Sequence, residues 1–242
     1  MKEATSTGAD RRSGERTGGL DQFAERHRGG YRSVGDMAYE VLRDAILEGA
    51  LPPGTKLRQE TLAESIGISR LPIRSALIQL ESDGLVEFHA RRGAVVRALS
   101  IDEANEVYLL RILLEREALR LSMQEMTDEK LASLRELARH ADATEEGSDF
   151  VEARTNFYAA LYGASERPVM WEMLEQLRLK LGRYVLGWRM VHSNGHHHTH
   201  EQLVDVIAKG DADHAASVLE HHLEHVREGV LDLLRAELDN AS

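Results

Sequence analysis

The sequence predicts a mainly α protein in which a small N-terminal unit with a short β-hairpin precedes an all-α antiparallel helical bundle. Three observations carry that prediction. Apolar residues recur at helical spacing from Val34 to Leu80 and again from Ser100 to Leu238, only the stretch from Leu85 to Arg97 reads as strand, and acidic charge gathers in the second half. The boundaries that follow are a flexible tail at 1–32, a small mixed unit at 33–98 and a helical unit at 99–238.

Residues 1–32 are rich in Gly, Ser, Thr, Arg and Glu and poor in apolar side chains, so they cannot offset the entropy of ordering. The basic residues Arg11, Arg12, Arg26 and Arg28 leave open an arm that touches DNA. Val34, Met37, Ala38, Val41, Leu42, Ala45 and Ile46 then trace one helical face that stops at Gly49, and Leu51-Pro52-Pro53-Gly54 forms a rigid turn before Leu57. Leu62, Ala63 and Ile66 form the stripe of a short helix, and Ile73, Ala76, Leu77 and Leu80 that of a second, with Gly67 able to take the left-handed conformation between them. Ser69 offers a hydroxyl to the free amides opening the second helix. This is a helix-turn-helix. Arg70 and Arg74, one turn apart, point away from its core and suit the reading of guanine edges or the gripping of phosphates. Leu85–Phe88 and Ala94–Arg97 follow as two strands joined by a basic tip containing Arg91, Arg92 and Gly93, which makes the unit a winged helix-turn-helix.

Beyond residue 99 the pattern is helical throughout. Ser100 with Glu103 forms a capping box, and further helical segments run at about 128–142, 149–164, 168–191, 199–209 and 212–238. Among twelve histidines, the triplet His196-His197-His198 follows Ser193-Asn194-Gly195 and suits a solvated loop. His200 and His222 instead fall on apolar stripes and should point inward.

Residues 39–97 resemble the winged-helix domain of the GntR family of bacterial transcription regulators, on Gly49, Leu51, Pro53-Gly54, Leu57, Leu62-Ala63, Ile66-Gly67, Ser69-Arg70, Pro72, Arg74, Ala76-Leu77, Leu80, Gly84-Leu85-Val86 and Gly93. The resemblance implies DNA contacts from Arg58, Ser69, Arg70, Pro72, Arg74, Arg91, Arg92 and Gly93. Leu71 departs from it, standing where many relatives have threonine. The helical part is similar to the effector-binding (FCD) domain of the FadR subfamily, on Arg111, Leu114-Glu115, Phe157, His200, Ala215 and His222. That similarity implies a homodimer, a palindromic operator in double-stranded DNA and a small-molecule effector. Many relatives hold a divalent metal in this domain through an aspartate and a histidine one turn apart plus two later histidines. The later pair is His200 and His222 here, but Arg154 and Tyr158 fall at the earlier positions. A guanidinium repels a cation and a neutral phenol is a poor ligand, so no cofactor is expected and a metal on His200 and His222 alone would be weakly held. Arg154 either pairs internally with a carboxylate such as Glu115 or, with Arg111, Tyr158, His200 and His222, binds an anionic effector directly.

Composition bounds these readings. The net charge of -11 is unevenly spread, about +2 over residues 1–35, about -1 over 36–100 and about -12 beyond, so DNA binding must rest on a local basic face. There is no cysteine, which removes disulfides and thiolate metal sites. The absence of a long apolar run fits a soluble, cytoplasmic protein with no membrane partner. One alternative, a helical metal-dependent hydrolase or lyase using the histidines with Glu201 or Asp205, lacks a paired carboxylate ligand and any nucleophile-base-orienter set. Another is a helical dimerisation scaffold that merely retains a winged helix.

Overall fold

The N-terminal helices form where sequence supplies both a stripe and a stop. In the computed structural model, which describes residues 19–27, 29, 31–144, 147–191 and 199–241, α2 (Val34–Leu47), α3 (Gln59–Ile66) and α4 (Arg70–Ser82) build the helical layer of the first of two units, Met1–Ala98 and Leu99–Ser242. The Ser33 hydroxyl accepts from the Asp36 N–H at 3.1 Å to open α2, and Gly67 ends α3 at φ 78° with its N–H on the Ala63 carbonyl. Ala38, Val41, Leu42 and Ala45 of α2 are fully buried, as are Ile73, Leu77 and Leu80 of α4, which packs against it. Their removal from water is the main source of this unit's stability.

A small antiparallel sheet completes the unit, in the order β1 (Lys56–Leu57), β3 (Gly93–Val96), β2 (Val86–His89). Phe88 pairs with Ala94 in the hairpin, and Leu57 with Ala94 on the other side of β3. The two-residue β1 is too short to show alternation, and the hairpin strands begin or end one residue from the positions expected.

The expected tail at 1–32 needs correction. Leu20–Arg26 forms a helix, α1, with Leu20, Phe23 and Ala24 buried where it packs on α2 and α3. Polar contacts add to it: Arg26 pairs with Glu48 at 2.5 Å, and His27 Nε2 lies 2.7 Å from the buried Asp44 carboxylate, which also accepts from Arg43. Three apolar residues within one and a half turns leave no measurable period, yet they suffice when a partner surface exists. Arg11, Arg12 and Arg28 lie outside the described residues.

The second unit is helical: α5 (Ile101–Met123), α6 (Asp128–Ala143), α7 (Gly147–Tyr162), α8 (Pro168–Val191), α9 (His200–Ile207) and α10 (Ala212–Ala241). Ser100, Thr127 and Thr199 each cap a helix by accepting from the amide three residues on. One apolar cluster joins the C-terminal half of α5 to α6, α7, α9 and the start of α10; a second joins the N-terminal half of α5 to α8 and the rest of α10. Gly229 on α10 admits the indole of Trp188, since a Cβ there would lie 1.9 Å from its Nε1. No helix among the described residues is long and apolar enough to cross a membrane.

Docking of α1 is directly measurable. Phe23→Ala should destabilise the N-terminal unit by about 3–5 kcal/mol, the usual cost of emptying a phenylalanine site. Chemical denaturation showing less than ~1 kcal/mol would mean that α1 does not belong to the core.

Candidate functional site

Two regions concentrate polar chemistry, one in each unit. In the first, the stripe that buries Ile73, Ala76, Leu77 and Leu80 turns Arg70, Leu71, Arg74, Ser75 and Ile78 outward on α4. Arg58 is exposed at the N-cap of α3, and Arg91 and Arg92 are exposed in the turn between β2 and β3, where Gly93 has φ 72°. Arg70 meets Glu60 of α3 at 2.5 Å, but both side chains are mostly solvated, so this pair contributes little and can yield to a stronger anion.

Ser69 departs from the expected cap. It occupies the N-cap of α4 with extended backbone, but its hydroxyl accepts no hydrogen bond from the helix. The reason lies three residues on. The other four side-chain caps accept from the third helical amide, and in α4 that position is Pro72, which has no N–H. The exposed Ser69 hydroxyl therefore remains free to serve an outside acceptor.

In the second unit, Glu115 of α5 is fully buried and gathers donors from three helices. It accepts from Arg111 Nε at 2.6 Å, from the Tyr162 hydroxyl at 2.5 Å and from Arg178 at 3.4 Å. Burial pushes the Glu115 carboxyl up, but Arg111, Arg178 and the Tyr162 hydrogen bond outweigh it and hold the group below its ordinary value.

Arg154 does not reach this carboxylate. Its guanidinium lies over the rings of Phe150 at 5.2 Å and Tyr158 at 5.6 Å, and it has no hydrogen bond or ion pair among the described residues. Burial, together with the charges of Arg178, Arg111 and Arg189, draws it below the usual arginine range. Arg178 also stacks on Tyr158, at 3.6 Å from the ring centroid. Two guanidiniums thus share one carboxylate while Arg154 stands apart from it, and the Tyr158 hydroxyl is buried without a partner.

His200 and His222 lie beside this charge, with ring centroids 6.3 Å apart and His200 packed edge-on against Phe157 and Tyr158. Asp142, at the end of α6, accepts from His200 Nδ1 at 2.6 Å and from the backbone amides of His200 and Glu201 at 3.1 Å. That contact makes Nδ1 the protonated nitrogen and leaves Nε2 a bare acceptor, buried and unpartnered. His222 Nε2 is unpartnered as well. Burial drives His200 down to about 4 against the pull of Asp142, with Arg154 adding to the fall; burial and Arg154 hold His222 well below its ordinary value.

The five side chains expected around an effector, Arg111, Arg154, Tyr158, His200 and His222, do converge. The expected alternative of an Arg154 to Glu115 pair is not formed, because Arg111, Arg178 and Tyr162 occupy that carboxylate. Arg178, Tyr162 and Asp142 were absent from the sequence expectation; each acts across helices, where no single periodicity reports a partner. The donor set does not fit a divalent cation. Two imidazoles face Arg154, Asp142 is engaged with three N–H groups, and no three metal-ligating side chains gather among the described residues. His196, His197 and His198 lie outside the described residues.

Comparison with known proteins agrees with this division. Residues 35–96 match the family "Bacterial regulatory proteins, gntR family" and residues 106–225 match the FCD domain. The Nta operon transcriptional regulator of Aminobacter aminovorans is 26% identical over 76% of this chain and 88% of its own length. The HTH-type regulator McbR of Escherichia coli is 31% identical over 58% of this chain and 65% of its own. In fold, the chain is similar to a solved structure of McbR/YncC (TM-score 0.65, 23% identity, covering 86% of this chain and 100% of that one) and to a GntR regulator from Rhodococcus (TM-score 0.67, 22% identity, covering 82% and 97%).

The neutral histidines give stability a defined pH dependence. An unfolded imidazole takes up its proton near 6.5, whereas folded His200 does so only near 4, so stability is full above that window and falls as pH drops through it. Denaturation of the wild type from pH 6.5 to 4 should reveal a loss on the order of 3 kcal/mol from this group, and His200→Gln should flatten the slope. An identical slope in the variant would show that His200 is not held neutral.

Proposed function

Because the chain belongs to the GntR family of transcription regulators, with a DNA-binding winged helix and an FCD effector-binding domain, we propose that it is a homodimeric repressor released by a small anionic metabolite, which Arg154 holds without a metal. It is a regulator and not an enzyme, as its relatives are. The observation that carries the anion reading is the half-buried Arg154 with no carboxylate partner, next to two guanidiniums that share Glu115. An uncompensated buried cation is costly, and a carboxylate or phosphate would remove the cost through charge-assisted hydrogen bonds. The lone pair on His200 Nε2 then favours a ligand that carries a hydroxyl or amine donor besides its anionic group.

Repression is supported by the related RspR of Escherichia coli, named a transcriptional repressor and 23% identical over 85% of this chain. Dimerisation is supported by Leu109, Leu110 and Leu113 on α5, which are 59%, 41% and 60% exposed in the single chain. In this reading the dimer sets two copies of α4 on a palindromic operator, with Arg58, Arg70, Arg74, Arg91 and Arg92 on bases and phosphates and Ser69, Pro72 and Gly93 close to the backbone. The effector loosens binding to the extent that it prefers the conformation unable to span both half-sites.

Two experiments test the halves separately. Arg74→Ala should weaken operator binding by about 1–3 kcal/mol, roughly 5- to 150-fold, if it makes a bidentate base contact; unchanged affinity in a titration against duplex would remove Arg74 from the interface. For the ligand site, a panel of small carboxylates and sugar phosphates, screened by thermal shift in the presence of EDTA, should include stabilising members whose effect disappears in Arg154→Leu. Stoichiometric zinc, nickel or manganese in purified protein, lost in His200→Ala, would instead establish a metal centre.

A further inference from the structure

Leu71 is 73% exposed, the most exposed large apolar side chain among the described residues. It stands in the first turn of α4, between Arg70 and Arg74, which are also exposed. No residue from Ser65 to Leu80 is acidic, although the chain carries 41 acidic side chains. Arg70, although it meets Glu60, and Arg74 place cations on both sides of Leu71. The next exposed apolar residue on α4 is Ile78, two turns away, so Leu71 is an isolated alkyl group between guanidiniums rather than part of a wide apolar patch, and such a group matches the edge of a base pair. In the major groove, thymine alone offers a methyl group, and the first turn of a recognition helix is the part that reaches base edges.

We propose that Leu71 is a specificity-determining residue that reads the C5-methyl of a thymine in each operator half-site. The inference rests on the DNA-binding reading of α4 and adds to it an apolar contact that the arginines cannot make. Arg70 and Arg74 fix position and read acceptors; Leu71 distinguishes thymine from cytosine by the C5-methyl and from purines by the shape of the base edge. The ring of Pro72 fixes the backbone of the first turn, so the isobutyl group is aimed by the helix itself.

The test needs an operator, which selection from a random duplex pool with the full-length protein supplies. Each thymine of the selected site is then replaced by deoxyuridine, which deletes the methyl and keeps the hydrogen-bonding pattern. One symmetric pair of replacements should weaken wild-type binding by about fourfold per half-site, the value of roughly 0.8 kcal/mol for one buried methyl group. Leu71→Ala should bind the thymine and deoxyuridine operators equally, while Leu71→Met keeps part of the discrimination. The proposal is overturned if no replacement weakens binding, or if the sensitive position remains equally sensitive in Leu71→Ala. It is also overturned if Leu71→Ala changes oligomeric mass and leaves operator affinity unaltered. A pool that yields no enriched sequence would bring down the DNA-binding reading and this inference together, an outcome distinct from the others.

Discussion

The charge balance around Glu115 is the constraint on which the second unit depends. One carboxylate, entirely removed from water, has to satisfy Arg111, Arg178 and the Tyr162 hydroxyl. Those donors come from α5, α7 and α8, so the same group that neutralises charge also fixes three helices relative to one another. Burial alone would favour the protonated acid, and the two guanidiniums with the Tyr162 hydrogen bond keep it ionised. Arg154 is then left over. Its partnerless cation and, together with burial, the depressed imidazoles of His200 and His222 follow from one local excess of positive charge.

The N-terminal unit solves a different problem, that of presenting cations from a protein with a net charge of -11. It does so by keeping acidic residues out of the stretch from Ser65 to Leu80 and by leaving polar groups unspent. Pro72 removes the amide that Ser69 would otherwise bind, so a residue type chosen for capping is diverted outward. The docking of α1 against α2 and α3 adds buried surface to a unit whose own core is small, and so rigidifies the platform from which α4 projects.

Much of this was legible in the chain. The stripes of Leu62, Ala63, Ile66 and of Ile73, Ala76, Leu77, Leu80 specify two helices and the side that faces solvent, because periodicity and Gly67 act locally. Arg154 and Tyr158 were visible as inward residues one turn apart for the same reason. What periodicity could not supply was partnership. Nothing around residue 178 signals that its guanidinium reaches residue 115, and nothing around residue 142 signals three N–H groups arriving from the start of α9. The helix α1 was hidden differently: its apolar residues are too few to show a pattern, and their stability comes from the surface they meet.

One property of α5 bears on how the second unit responds to a change at its guanidinium cluster. The helix runs from Ile101 to Met123 with neither glycine nor proline, and its start is fixed by the Ser100 hydroxyl. Arg111 and Glu115 sit near its middle, about 15 Å along the axis from the first turn at the standard rise per residue. A helix without a kink site does not absorb a displacement by bending. A shift at the guanidinium cluster is therefore carried along α5 to its capped first turn as tilt, instead of being lost in a bend.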